Sequence, residues 1–324
     1  MTSDSIKIFC EKIRLNKFGG AAEMVASGVG AIAEAARACE AADTAVFSDS
    51  MENDLDAILE VMPSIAPMTN LLHQFMGSID RVREEKMELD NAQEDIAETV
   101  ESYLKRQSNA LQQIGFIGGQ MIKDNTTVAT YSTSGTVMGM FASARENGKR
   151  FKVVVSESRP ANEGIRTMKE TAEMGIPVTF GIDAILGTLL QGCAMFVVGA
   201  DVITSNGDVL VKVGTYLGAL VAREYNIPFY VAADTSKFDP MTLDGFPLKI
   251  RDKGADAVLT EAAPENVRVL NPSFELVPAR LVTGIITEMG VIHPGNVAGM
   301  MHTLTLSPTL VKKLREWVNK PTRN

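Results

Sequence analysis

The stretch FVVGADVITSNGDVLVKVGT, residues 196–215, decides how the chain is read. It opens as an apolar run with the character of a buried strand and closes with that of a helix. Between the two stand Asp201, an Asn-Gly turn and Lys212. An aspartate at the carboxyl end of a buried strand, with a lysine in the first turns of the next helix, suits an open α/β sheet. There the strand ends and helix N-termini converge on one ligand-binding crevice.

The pattern extends on both sides of this stretch. Short β-rich runs recur at TTVATYS (126–132), FKVVVSES (151–158), IPVTF (176–180) and IPFYVAAD (227–234). Most are separated by helix-like segments such as SGTVMGMFASARENG (134–148) and EGIRTMKETAEMG (163–175). Strand–helix alternation of this kind predicts parallel strands joined by crossover helices, a doubly wound sheet. Before residue 124 the texture is helical instead. AAEMVASGVGAIAEAARACEAA (21–42) carries apolar residues at three- and four-residue spacing, and residues 79–115 continue that period with dense charge. Pro63 and Pro67 interrupt the two, and the charges from Arg81 to Asp95 read as the solvated face of a helix. The fold class is therefore α/β, with a helical N-terminal domain over 1–120 and a doubly wound parallel-sheet domain over 121–324.

Composition bounds the function. Hydrophobic residues are 45% and charged residues 22%, as in a globular protein. No apolar run reaches the roughly 20 residues of a membrane span, and the first residues lack the apolar core of a secretory signal. A cytoplasmic protein without a membrane partner is expected. Three scattered cysteines and three histidines offer no zinc cluster or disulfide framework. A net charge of −9 argues against nucleic acid as the main ligand. Neither a Walker A sequence nor GxGxxG occurs, so no cofactor and no metal are expected.

Candidate site residues each carry two readings. Asp201 either projects into the crevice or serves as a turn or helix-capping aspartate. Lys212 with Thr215 either meets an anion beside a helix dipole or is a surface lysine. Arg159, in SESRP, either grips a phosphate or carboxylate or pairs with Glu157 or Asp183. Gly19 and Gly20 either admit a ligand close to the backbone or mark a helix junction. TYSTSG (130–135) suits helix capping and anion binding alike. His293 reads as a turn residue.

Five stretches in order, SESRPANEG (156–164), GIPVTFGIDA (175–184), VVGADVITSNGDVLVKVGT (197–215), IPFYVAADTSKFDP (227–240) and NPSFELVPARLVTGIITEMGVIHP (271–294), carry a family resemblance. The chain resembles the superfamily of methylthioribose-1-phosphate isomerase, ribose-1,5-bisphosphate isomerase and the α, β and δ regulatory subunits of initiation factor 2B. Its layout is most similar to the ribose-1,5-bisphosphate isomerase branch. The resemblance implies a Rossmann-like C-terminal domain, a sugar-phosphate ligand, and a homodimer or hexamer of dimers. It also implies conversion of an aldose 1-phosphate to a 2-ketose, with an acid at the ring oxygen and a hydrogen moved from C2 to C1.

The resemblance assigns the acid/base role to Asp201 and anion contacts to Arg159 and Lys212. Other positions depart from the family pattern. Ser132 stands where the family has its catalytic cysteine, and Tyr131 where that cysteine is preceded by histidine. A serine hydroxyl hydrogen-bonds like a thiol but yields far less anion at neutral pH. Phe18-Gly19 replaces a phosphate-gripping Arg-Gly, Met62 replaces an arginine before proline, and Val211 an asparagine. Each lost charged contact removes roughly 1.5–3 kcal/mol. The expectation is an aldose–ketose isomerase for a less highly charged sugar derivative, with Asp201 and Ser132 at the chemistry and Gly19, Gly20, Arg159 and Lys212 binding substrate. The alternative is a non-catalytic regulatory or metabolite-sensing relative of the initiation factor 2B subunits.

Overall fold

The computed structural model describes residues 2–15, 17, 18, 20–62, 65–248, 250 and 252–318. The chain divides into two compact units. One comprises residues 1–108, 239–247 and 302–324, and the other residues 109–238 and 248–301. Two consecutive segments meeting near residue 120 were expected. Instead the division falls inside a helix, and two later segments return to the helical unit.

The helical unit is built from α1 (Asp4–Arg14), α2 (Ala21–Ala38), α3 (Thr44–Val61), α4 (Ala66–Glu85) and the first part of α5 (Leu89–Met121). Asp43 starts α3 by accepting a hydrogen bond from the Val46 backbone N–H at 2.9 Å, the ordinary N-cap arrangement. Pro67 sits in the first turn of α4, where its missing N–H costs nothing. The charged stretch that reads as one helical face is in fact divided. Lys86 takes left-handed backbone (φ 51°) and ends α4, and α5 starts at Leu89. Arg81 and Asp95 then pair across the turn at 2.6 Å. Phe9, Phe47, Phe75, Ile32, Met51 and Leu55 are fully buried in the core of this unit.

The α/β unit holds β1 (Thr126–Thr130), α6 (Gly135–Glu146), β2 (Phe151–Ser156), α7 (Gly164–Glu173), β3 (Val178–Gly181), α8 (Leu186–Leu189), β4 (Met195–Gly199), β5 (Val202–Ile203), β6 (Val209–Lys212), α9 (Thr215–Glu224), β7 (Phe229–Ala232), β8 (Phe274–Val277), β9 (Gly284–Thr287), β10 (Gly290–Ile292) and α10 (Val297–Met301). Another helix, α11 (Pro308–Val318), follows in the helical unit. The main sheet has the order β10-β9-β7-β4-β1-β2-β3. All its neighbours are parallel except the β9–β10 pair. From β3 to β9 this is the doubly wound order in which the connections reverse direction between β1 and β4. Val128, Val153 and Val197 lie fully buried in the sheet, as strands covered on both faces require. Among the described residues no helix is long and apolar enough to cross a membrane.

The stretch at 196–215 corrects one expectation. It does not pass from strand to helix, because β5 and β6 form a hairpin between β4 and α9 and pair with β8 in a second, antiparallel sheet. Asn206-Gly207 is its turn, with Gly207 at φ +83°. A Cβ at Gly207 would lie 2.5 Å from the Pro294 carbonyl oxygen, so the turn needs glycine on both grounds. Lys212 is consequently the last residue of β6 and not part of the helix.

Candidate functional site

In open α/β sheets, ligands bind at the carboxyl ends of the strands flanking the reversal. Here those strands are β1 and β4, which run on into Tyr131-Ser132 and Ala200-Asp201. The two ends are held close to the start of α6. Ser134 caps that helix through the Val137 N–H, and a Cβ on Gly199 would sit 2.4 Å from the Ser134 hydroxyl. The capping reading of TYSTSG therefore applies to Ser134, which leaves Ser132 for the crevice.

Ser132 is buried and takes left-handed backbone (φ 62°), a conformation uncommon for a residue with a side chain. Its hydroxyl donates to Glu163 Oε2 at 2.9 Å. The same oxygen meets the Lys212 ammonium at 2.7 Å. The ion pair is largely enclosed, with the Lys212 side chain 11% exposed and that of Glu163 33%. Ser132, Glu163 and Lys212 thus form one chain of polar contacts drawn from β1, the N-cap of α7 and β6.

Asp201 follows β4, and its backbone N–H donates to the Leu210 carbonyl at 2.9 Å. Its carboxylate lies 3.9 Å from the Lys237 ammonium. Burial pushes the Asp201 carboxyl above the usual aspartate range. Lys237 opposes that shift, the Glu163 charge adds to it, and Lys212 opposes it more weakly. A carboxyl that holds its proton more tightly than usual, with a lysine beside it, can serve as a proton donor and recover the proton later.

The SESRP turn is organised around a different carboxylate. Asp183 accepts from the Ser156 hydroxyl at 2.7 Å and from the backbone N–H groups of Ser158 at 2.9 Å and Arg159 at 2.7 Å. Of the two ion pairs weighed for Arg159, neither forms. Asp183 holds its backbone, and the exposed guanidinium pairs with no carboxylate among the described residues. The Arg159–Pro160 peptide bond is cis. Gly164 ends the turn under severe steric constraint, since a Cβ there would lie 1.8 Å from the Ser156 carbonyl oxygen. Asn162 Oδ1 is buried without a hydrogen-bond partner among the described residues. Such groups are uncommon in folded proteins and mark polar capacity at this turn.

The N-terminus of α9 is already occupied. Glu275 on β8 accepts from the backbone N–H groups of Gly214 at 2.6 Å and Tyr216 at 2.8 Å. The expected anion site formed by Thr215 and the helix dipole is therefore filled from within the chain. Thr215 instead donates its hydroxyl to the Lys212 carbonyl at 2.6 Å. Tyr131, in the position before Ser132, is buried, and its hydroxyl abuts Gly214, where a Cβ would lie 2.1 Å away. Burial, reinforced by the Asp183 charge, pushes its phenol upward, so Tyr131 stays neutral.

The α/β unit thus brings together Asp201, Ser132 and Lys212, with Arg159 exposed on the nearby turn. Gly20 belongs to the helical unit. It is the N-cap of α2 with extended backbone and open space around a would-be Cβ, so nothing there demands glycine. Gly19 lies outside the described residues. Phe18 packs on Phe9 with ring centroids 5.9 Å apart, Met62 is buried in the helical core, and Val211 is buried in β6. Sequence reasoning missed Glu163, Lys237 and Glu275, and named Asp183 only as an ion-pair partner for Arg159, although each stands in one of the five family stretches. Among the described residues no group of three or more His, Cys, Asp or Glu side chains could hold a metal ion. His293 accepts the Gly295 N–H at the start of a short 3-10 turn.

Comparison with known proteins gives a consistent result. The initiation factor 2 subunit family matches residues 17–294. The chain is 30% identical over 292 residues to ribose 1,5-bisphosphate isomerase of Methanocaldococcus jannaschii, covering 90% of this chain and 92% of that protein. It is 34% identical over 289 residues to the protein of the same name from Archaeoglobus fulgidus, covering 88% of each. The crystal structure of translation initiation factor eIF-2B from Pyrococcus horikoshii superposes with a TM-score of 0.75 at 30% identity, over 90% of this chain and 98% of that one. Its relatives thus include both sugar-phosphate isomerases and initiation factors, and the chain belongs to the initiation factor 2 subunit family.

Proposed function

We propose that this protein is an aldose–ketose isomerase acting on a sugar phosphate or related sugar derivative. The observation that carries the reading is Asp201, whose carboxyl sits at the reversal point of the sheet, raised by burial and next to Lys237. Opening a cyclic sugar needs a proton at the ring oxygen. Forming the ketose needs a hydrogen moved from C2 to C1 and a proton removed from the C2 hydroxyl. One carboxyl group can do both proton steps: it gives its proton to the ring oxygen and takes one back from the C2 oxygen. The hydrogen then passes directly between the carbons, which removes the need for a thiolate. Ser132, a neutral hydroxyl fixed on Glu163, serves in positioning. Arg159 is the anion contact, exposed and paired with no carboxylate among the described residues.

The test is a thermal-shift screen against aldose 1-phosphates, 5-deoxy and methylthio sugars, ribose 1,5-bisphosphate and nucleoside monophosphates, with NMR detection of 2-ketose for each hit. Turnover that disappears in Asp201→Asn supports the reading. Binding without turnover favours the second reading, a non-catalytic metabolite sensor related to initiation factor 2B. The burial of Met62 in the helical core, with Phe18 packed against that core, is the observation on that side. Self-association belongs to the same proposal. Leu217 and Leu220 on α9 and Leu276 on the adjoining β8 are exposed and supply apolar area for it. Sedimentation as a monomer would remove that part.

A further inference from the structure

We infer that Glu163 sets substrate specificity, accepting a neutral sugar hydroxyl through Oε1 and excluding phosphate from the space bounded by Ser132 and Lys212. The inference rests on the sugar-site reading above and names the class of ligand group that the site takes. Lys212 is the enclosed cation that shares Glu163 Oε2 with Ser132, and in an anion site it would face the phosphate. Its ammonium instead contacts Glu163 Oε2 at 2.7 Å. That same oxygen also accepts the Ser132 hydroxyl at 2.9 Å. A phosphate placed on Lys212 would therefore come to rest beside a carboxylate, and like charges at that range reject it.

The other anion-binding device near the crevice, the N-terminus of α9, is spent on the Glu275 carboxylate at 2.6 and 2.8 Å. Two internal carboxylates thus stand where a doubly phosphorylated sugar would need cations. Glu163 Oε1, by contrast, accepts no hydrogen bond from a described residue, and its side chain is partly open. With Oε2 held by two donors, Oε1 is an oriented acceptor suited to a hydroxyl. A site built to accept a hydroxyl proton also rejects analogues that lack one, because the carboxylate is then left unpaired. Arg159 remains open to one anionic group, so the ligand class is a sugar with at most one phosphate and a free hydroxyl at the Glu163 position.

Calorimetric titration of methyl ribofuranoside, ribose 1-phosphate and ribose 1,5-bisphosphate into wild type, Glu163→Gln and Glu163→Asp tests this without any turnover. Wild type is expected to bind the bisphosphate at least tenfold more weakly than the tighter of the other two. Glu163→Gln should tighten bisphosphate binding at least tenfold, and Glu163→Asp, which keeps the charge, should not. The wild-type ranking stands alone as a test should either variant fail to fold. Wild type binding the bisphosphate most tightly would overturn the inference while leaving the sugar-site reading intact. An unchanged bisphosphate affinity in a folded Glu163→Gln would also overturn it. No binding of any probe to wild type would end both.

Discussion

In the helical unit, Phe18 and Met62 stand where the family resemblance places phosphate-gripping arginines, and both lie against an apolar core. In the α/β unit, the carboxyl end of β1 carries Ser132, bonded to Glu163 and through it to Lys212, and that of β4 carries Asp201 beside Lys237. On that resemblance, one unit packs apolar side chains where charges are expected. The other keeps half-buried charges and a left-handed serine, which lower stability unless something besides folding retains them. The contrast teaches where function is to be sought, because polar groups held at a cost are the ones whose removal should separate stability from activity.

The widest separation is expected at Asp201. Asp201→Asn should lower turnover by about 10²–10⁴-fold, the usual contribution of a positioned acid or base, measured by NMR on whichever sugar the screen yields. Its Tm at pH 7 should equal or exceed that of wild type. The sign follows from the raised carboxyl. The folded chain keeps this proton over a range in which the unfolded chain has lost it, so stability falls as pH rises from the ordinary aspartate value through the folded one. At neutral pH the charged form is a net penalty that asparagine removes. A fall of several degrees in Tm would mean that Asp201 is structural.

Phe75→Ala should do the reverse. Truncating this fully buried ring costs about 3–5 kcal/mol by denaturant titration, with ligand affinity of the remaining folded protein unchanged.

The helical unit has its own acid sensitivity at His73. Burial holds that imidazole down to about 4, and its Nδ1 accepts the Ser307 N–H at 3.3 Å. The unfolded chain binds the proton first as pH falls, so stability is present above about pH 6.5 and is lost toward pH 4. The loss should be about 3 kcal/mol, at ~1.4 kcal/mol per pKa unit. His73→Asn should show a flatter stability profile over that window, and an identical profile would refute the assignment. The smallest effect belongs to a helix cap: Asp43→Ala should cost about 1 kcal/mol of chemical stability through its lost bond to Val46. No change in activity is expected there.

Much of this was legible in the chain. Strand–helix alternation after residue 124 fixes a doubly wound sheet, since parallel neighbours need crossovers. The five family stretches contain Asp201, Arg159 and Lys212, while Ser132 stands ahead of the first of them, and the fold links Ser132 to Lys212 through Glu163. The hairpin of β5 and β6 was not legible. VLVKV reads equally well as a short strand or the first turn of a helix, and only the pairing of Val209–Lys212 with Phe274–Val277, far along the chain, decides it. The same reason hid the break at Lys86, because a run of charged residues keeps its helical period through a turn of three residues.

The residue sequence by itself determined which side chains could do chemistry, because residue type sets donor, acceptor and pKa before any folding occurs. Tertiary structure alone decided which of them are spent on one another. Glu163 takes up Lys212, Glu275 takes up the start of α9, and Asp183 takes up the backbone of Arg159, each across a sequence separation that no local pattern encodes. A charge is available to a ligand only if the fold has not already paired it, and pairing is a property of distance in space.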